Sequence, residues 1–322
     1  MFHWDNGLFL TRAKLGLDVR RGLACGYISH AHADHMGPHQ VALATPETAA
    51  LYRHRRGAGR RVRLLHYGEP ERFGGFELTA LPAGHCLGSS MLLANDGGKT
   101  LLYTGDFKLG PSATAKQAEP PRADILVMES TFGRPRYRLP PREEVVAELA
   151  ELVRSVLAEG RTPVLHAYEL GKAQEVTKLL TDRGLPVLQH PSIFAVSEVY
   201  RRCEVGLGDC TEFRADRVPG RVVVTLPRGV RNFRLPGIAS PVSIAITGWA
   251  IDPATKHRLG VDHALPLSDH ADFDELLRLV ELVHPEQVYC THGPASFAGC
   301  LQAAGWDARP VSGGYQRRMF VP

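Results

Sequence analysis

The chain has 322 residues, 44% of them hydrophobic and 22% charged, with a formal net charge of +4. That length suits two domains of ordinary size, or one domain with a large insertion, and it can bury a sizeable core without staples. The composition is that of a soluble globular protein; no stretch approaches the roughly eighteen apolar residues of a membrane span, and the net charge alone does not argue for nucleic acid.

The opening segment, MFHWDNGLFLTRAKLG, lacks a basic leader, an apolar stretch and a small-residue cleavage site, which predicts a cytoplasmic protein. Six cysteines (Cys25, Cys86, Cys203, Cys210, Cys290, Cys300) are scattered with no C-x-x-C pair, the pattern of reduced thiols rather than of a disulfide framework or a cysteine-built zinc site.

The stretch YISHAHADHMG follows a short apolar run and brings His30, His32, Asp34 and His35 together. His30 and His32, two apart at the end of a strand, project from the same side. Asp34 and His35 follow in the turn and the first helical position. Four ligand-type side chains on one short loop suit two adjacent cations better than one, since a single zinc takes a tetrahedron on which these cannot all converge.

YRHRRGAGRRVR then gathers Arg53, Arg55, Arg56, Arg60, Arg61 and Arg63. This is either a solvated basic loop or a phosphate-binding surface. Two further clusters, Arg134, Arg136 and Arg138 in GRPRYR and Arg228, Arg231 and Arg234 in PRGVRNFR, favour the second reading, because separate arginine clusters suit a groove that tracks a nucleic-acid backbone. The substrate-binding candidates are Arg53, Arg55, Arg56, Arg134, Arg228 and Arg231.

Short strands are predicted at VRLLHY, GFELTAL, SSMLLA and KTLLYTGDF, with a hairpin turn around Asn95 to Gly98. Two of them end on ligand-type residues: His85 in LPAGHCLGSS and Asp106 in LLYTGDF.

After ADILVMES the texture changes. PPREEVVAELAELVRSVLAEG places Val145, Val146, Leu149, Leu152, Val153, Val156 and Leu157 at helical spacing, with proline before and Gly160 after. Strand TPVLHAY, helix LGKAQEVTKLLTDRG, strand PVLQH, helix SIFAVSEVYRRC and strands RVVVTL and VSIAIT follow, the alternation of a parallel sheet with covering helices. Residues 135–262 are therefore expected to form an α/β unit. Within it His166 and His190 are expected in the core or facing substrate, with core favoured; Tyr168 and Lys172 are placed to meet phosphate at a helix start, or to serve in capping or on the surface.

In the tail, Asp272 followed by Glu275 in DFDE is a capping box that starts a helix. EQVYCTHGPASFAGCLQAAG reads as strand, turn and helix, with His292 at the strand's C-terminal end.

In order and context, SHAHADH, AGHCLGS, YTGDF, VMESTFG, LSDHADF and CTHG resemble the metallo-β-lactamase fold nucleases of the β-CASP group. That group includes the cleavage-and-polyadenylation endonuclease, ribonuclease J and the Artemis-type DNA nucleases. The resemblance covers essentially the whole chain. LGKAQE, TGWA and GVDHALPLSDHADF are most similar to the small bacterial ligase-associated DNA exonucleases.

The resemblance implies an α/β fold: a metallo-β-lactamase αββα sandwich formed by residues 1–134 and 263–322, with a β-CASP α/β domain inserted at 135–262. It implies two zinc ions, one held by His30, His32 and His85, the second by Asp34, His35 and His292, with Asp106 bridging; similar ligand sets tolerate manganese. Asp18, in GLDVRRG, matches an early aspartate that supports the site from outside the metal shell, although Val-Arg-Arg follows it where small residues are common. Glu129 and His270 match the insertion-specific acid and histidine, expected to touch near the scissile phosphate. With Asp106 and Asp34 they make up the implied catalytic set.

The activity so implied is two-metal phosphodiester hydrolysis of nucleic acid, by a DNA exonuclease in end processing or repair. A DNA ligase or helicase partner goes with that resemblance, and no membrane does. The alternative is an RNA-processing nuclease of the polyadenylation-factor or ribonuclease J type, since His292 is a histidine as in RNA-acting relatives. A small-substrate hydrolase of the same fold would need neither the insert nor Glu129, His270 and the arginines; a non-catalytic subunit would not keep all seven ligands.

Overall fold

The computed structural model describes residues 1–229 and 235–311. Arg231, a substrate-binding candidate, and Arg234 beside it lie outside the described residues.

In chain order the elements are β1 (Phe2–Trp4), β2 (Leu8–Leu10), β3 (Leu15–Leu17), β4 (Cys25–Tyr27), β5 (Val41–Ala44), α1 (Pro46–Arg56), β6 (Val62–Leu64), β7 (Pro70–Phe73), β8 (Phe76–Pro82), β9 (Ser90–Asn95), β10 (Thr100–Tyr103) and β11 (Ile125–Glu129). Then come α2 (Arg142–Ala158), β12 (Thr162–His166), α3 (Lys172–Thr181), β13 (Val187–Gln189), α4 (Pro191–Arg202), β14 (Cys210–Glu212), β15 (Val222–Thr225), β16 (Pro241–Ile246), α5 (Ala254–Leu259) and β17 (His263–Leu265). The chain closes with α6 (Phe273–Val283), β18 (Gln287–Thr291), α7 (Ser296–Ala303) and β19 (Ala308–Pro310). No helix among the described residues is long and apolar enough to cross a membrane.

The chain divides into two compact units, one of residues 1–137 with the chain from His270 onward, the other Arg138–Asp269. The return boundary, expected after residue 262, falls after Asp269 because β17 pairs in parallel with β16 (Ile244↔His263, Ile246↔Leu265). The leading boundary, expected after residue 134, moves to Tyr137, whose ring is buried 5.5 Å from that of Phe132 and whose carbonyl accepts from Phe273 N–H.

In the first unit, β1 to β6 form one sheet in sequence order, and a second has the order β19-β18-β11-β10-β9-β8-β7. The inner faces meet in a core that includes Leu10, Leu17, Tyr27 and Leu43 from the first sheet and Leu78, Leu92, Leu101 and Val127 from the second. Strand side chains alternate, so with Leu43 pointing inward Ala42 and Ala44 point outward; both are fully buried, on the face that the β5–α1–β6 crossover covers. On the far side of the second sheet, Leu102, Leu126, Met128 and Val288 pack with Phe273, Leu276 and Val280 of α6 and Phe297 and Leu301 of α7. The layers run helix, sheet, sheet, helix. The predicted hairpin is present: β9 and β10 pair Asn95↔Thr100, and the Asp96 carboxylate accepts from Gly98 and Lys99 N–H in the turn.

In the second unit, the six strands in order β14-β13-β15-β12-β16-β17 are all parallel. The central strands β12 and β15 are buried along their whole length, as strands covered on both faces must be. In α2 the spacing read from the sequence holds: Val145, Val146, Leu149, Val153 and Val156 are buried, while Leu152 and Leu157 sit half-buried at the flank. Leu149→Ala should therefore destabilise the protein by about 2–5 kcal/mol, the range for truncating a packed core leucine, whereas Leu152→Ala should shift a urea unfolding midpoint much less.

Candidate metal centre

Strand direction sets the site. β10, β11 and β18 are mutually parallel, and β8 runs the same way because it and β10 are each antiparallel to β9. The C-terminal ends of four strands therefore lie along one sheet edge, and they carry His85 (after β8), Asp106 (after β10), Glu129 (end of β11) and His292 (after β18). The loop after β4, in the facing sheet, brings His30, His32, Asp34 and His35 to the same edge.

The donor atoms converge. His32 Nδ1 lies 3.0 Å from His30 Nε2 and 3.1 Å from His85 Nε2. Asp106 Oδ2 lies 3.3 Å from His35 Nε2 and 3.6 Å from His30 Nε2, and Asp106 Oδ1 lies 4.0 Å from His292 Nδ1. Asp34 Oδ2 is 3.7 Å from His35 Nε2. One set of potential ligands is His30, His32, His85 and Asp106, and a second is His35, Asp106 and His292, with Asp34 alongside.

These residues fit a metal. Nitrogens bound to one tetrahedral zinc at its usual bond length sit about 3.3 Å apart, close to the spacing of the three histidines. His292 Nδ1 is buried with no hydrogen-bond partner, an atom that a cation would satisfy. Burial first, then the neighbouring rings of His35, His85 and His32, hold His30 well below the ordinary imidazole range, which leaves it neutral with a lone pair to offer. Burial also lowers His35, but Asp106 and Asp18 outweigh it and raise that ring well above its ordinary value, so a cation bound there would displace a proton. For Asp106 burial acts upward and is outweighed, chiefly by His35 and His270, so the carboxylate titrates well below its usual range.

Hydrogen bonds hold the ligands in place. Asp18, in a left-handed backbone conformation at φ 51°, accepts from Ser29 N–H (2.7 Å), Ser29 Oγ (2.5 Å), His35 Nδ1 (2.8 Å) and Tyr103 Oη (2.9 Å). Ser89 Oγ accepts from the backbone N–H groups of His85 and Cys86. Gly105, at φ 55°, passes so close to Ser29 that a Cβ would sit 2.6 Å from its hydroxyl.

The acid and histidine singled out in the sequence are in contact: Glu129 Oε1 lies 2.8 Å from His270 Nδ1, and His270 Nε2 lies 3.9 Å from Asp106 Oδ2. Glu129 is fully buried and also accepts from Phe107 and Thr131 N–H. Ala271 N–H donates to the Phe107 carbonyl at 2.7 Å. Phe107, Glu129 and the His270–Ala271 pair therefore close a ring of hydrogen bonds beside Asp106.

Other expectations fare differently. Arg55 and Arg56 donate to the backbone carbonyls of Ala31 (2.7 Å) and Met36 (3.1 Å), and Arg53 Nε to the carbonyl of Arg60 (3.2 Å). Arg134 is exposed in the loop after β11, and Arg228 donates to the Gly260 carbonyl in the second unit. His166 is a satisfied core histidine bonded to the Leu226 carbonyl, and His190 caps α4 by accepting from Ser192 N–H. Lys172 is buried, 3.3 Å from Glu175 and 3.6 Å from Asp269, and so does not present its ammonium to solvent at a helix start. Nothing local in the sequence marks the supporting side chains Tyr103 and Ser29, and Tyr52 is marked only by its spacing with Arg55 and Arg56 on α1.

Comparison with known proteins agrees with this geometry. Residues 258–310 match the family model of the Zn-dependent metallo-hydrolase RNA specificity domain. The chain is 38% identical to a probable DNA ligase of Opitutus terrae over 95% of its own length and 31% of that protein. It is 30% identical to 5′ exonuclease Apollo of Gallus gallus, over 87% of this chain and 62% of that protein. With endoribonuclease YSH1 of Yarrowia lipolytica it shares 33% identity over 44% of this chain and 18% of that one. The chain thus spans less than two thirds of each of these relatives. Together these likenesses indicate the metallo-β-lactamase fold, β-CASP nuclease family. A crystal structure of a protein of unknown function from Enterococcus faecalis V583 shares the fold, with a TM-score of 0.55 and 15% identity over 84% of this chain and 75% of that one.

The matched Zn-dependent metallo-hydrolase model and the histidine and aspartate cluster together point to metal binding. A ligand that binds only the folded state stabilises it by about 2.7 kcal/mol at one hundred times its Kd. Zinc added to chelator-treated protein should raise its thermal unfolding midpoint accordingly, and His30→Ala should abolish most of that rise.

Proposed function

We propose that this chain hydrolyses phosphodiester bonds with two metal ions, and that its substrate is DNA, degraded from an end during repair or end processing. The observation that carries the reading is the convergence of metal-ligand side chains on Asp106 with the His270–Glu129 pair facing the same volume. His30, His32 and His85 would hold one cation, Asp34, His35 and His292 the other, and Asp106 both. When bound, such a pair supplies Lewis-acid activation of water and positive charge against the developing phosphoryl transition state.

The remaining work belongs to the chain's own side chains. With Nδ1 tied to the Glu129 carboxylate, Nε2 is the nitrogen of His270 left to pass a proton to the departing sugar oxygen. Glu129 orients the ring, and its own orientation is set by the N–H groups of Phe107 and Thr131. Asp18 keeps the His35 ring turned so that Nε2 faces Asp106.

DNA and end-directed action are supported by the two relatives that align over most of the chain, one named a DNA ligase and the other an exonuclease. A ligase as working partner follows the same likeness. The matched RNA specificity domain and the endoribonuclease relative favour the second reading, an RNA-processing nuclease.

End-labelled single- and double-stranded DNA and RNA of one sequence, incubated with the protein and zinc or manganese, separate the two. Stepwise shortening of DNA is expected; cleavage of RNA alone would overturn the DNA reading. His270→Ala should lower turnover about 10²–10⁴-fold, the usual contribution of a positioned acid, while zinc binding stays as in the wild type. Full activity in that variant would remove His270 from the mechanism.

A further inference from the structure

We propose that α1 is a brace that sets the spacing of the two histidine loops, and that Arg55 is a positioning residue for the metal ligands. The inference rests on the metal-centre reading and extends it to residues outside the ligand set.

The helix holds one loop at each end. At its N-terminus the hydroxyls of Thr45 and Thr48 both donate to the Gly88 carbonyl, at 2.7 and 2.8 Å, in the loop that carries His85. Gly88, at φ 77°, is pressed so closely against the helix that a Cβ would lie 2.5 Å from Thr48 N. At the C-terminal end, Tyr52 Oη donates to the Gly37 carbonyl (2.9 Å), Arg55 to that of Ala31 (2.7 Å) and Arg56 to that of Met36 (3.1 Å). Positions 52, 55 and 56 stand at i, i+3 and i+4, so one helical face carries all three donors. Ala31 lies between His30 and His32, and Met36 and Gly37 follow His35, so the loop is gripped at its start and at its end.

The helix between these grips has 11 residues and is about 16 Å long at the standard rise. A hydrogen-bonded helix of that length changes little in length, so the His85 loop and the His30–His35 loop are held at a fixed separation. His32 Nδ1 meets both His30 Nε2 and His85 Nε2 across that gap, and an error in the spacing would open the ligand set.

The brace and a plain electrostatic role predict opposite signs. A guanidinium near a cation site repels the cation, so neutralising it would tighten zinc binding if charge were all that mattered. Neutralising a loop anchor loosens it.

The test is zinc affinity, read by competition with a chromogenic chelator, on the full chain and four variants. Arg55→Gln should bind zinc about tenfold or more weakly, the scale on which supporting residues act on metal sites. Arg55→Lys, which still offers a donor, should recover part of the loss. Tyr52→Phe, with its shape unchanged, should lose about fivefold, one hydrogen bond's worth, and gives the answer if Arg55→Gln does not fold. Arg61→Gln, which removes the same charge from an exposed arginine, should keep wild-type affinity. If the wild type binds zinc and both Arg55→Gln and Tyr52→Phe bind it as tightly or more tightly, the brace is wrong and the metal centre stands. If the wild type binds no zinc, the metal reading falls and takes the brace with it.

Discussion

Side chains from five separate stretches, around residues 30–35, 85, 106, 270 and 292, have to meet with their ligand atoms a few ångströms apart, and this convergence constrains everything around it. Parallel strand ends bring the backbone to one edge, but a strand end fixes position only to within a residue or so. The rest is done by short hydrogen bonds. Asp18 gathers four donors from three residues, and α1 supplies five more hydroxyl or guanidinium donors to loop carbonyls. Each such bond contributes only about 1 kcal/mol net. Their larger effect is on geometry, because a buried carbonyl or carboxylate left unpaired costs more than the bond is worth when made.

Electrostatics sharpens the same point. A carboxylate as buried as Asp106 is tolerable only among positive or proton-donating neighbours, and the imidazoles around it fill that role. At His30 burial, and then the neighbouring rings of His35, His85 and His32, push the proton off, whereas Asp106 and Asp18 hold one on His35. A bound cation would accept the lone pair left on His30 and take over from the His35 proton in facing the Asp106 carboxylate.

Much of this was legible in the sequence where a feature is local. The helical period of Val145 to Val156 identified α2 and its buried face; the apolar runs RVVVTL and VSIAIT identified strands of a parallel sheet; Asp272 and Glu275 form the capping box read from their spacing, with Asp272 accepting from Glu275 N–H and Glu275 from Asp272 N–H. Less legible were three-residue edge strands such as β14 and β17, too short to show a period, and β17 moved a unit boundary. Long cationic side chains were the least legible. Composition says that arginines cluster, but Arg55 reaches a carbonyl 24 residues back and Lys172 turns inward to Glu175, and neither direction is encoded in neighbouring residues.

The capping box does more than start a helix. While one oxygen of Glu275 accepts from Asp272 N–H, the other accepts from Gly110 N–H, so the segment that follows Asp106 is tied to the first turn of α6, which begins three residues after His270. Phe107 makes a second tie, its N–H to Glu129 and its carbonyl to Ala271 N–H. Asp106, Glu129 and His270 come from three places in the chain yet share these bonds, and none can shift without straining the others. In the proposed mechanism Asp106 would help to hold the cations, His270 would pass a proton and Glu129 would aim that donor, three roles that require a fixed mutual geometry more than any particular strength of contact. A carboxylate that would otherwise only cap a helix thereby joins the segment after His270 to the loop that carries Asp106.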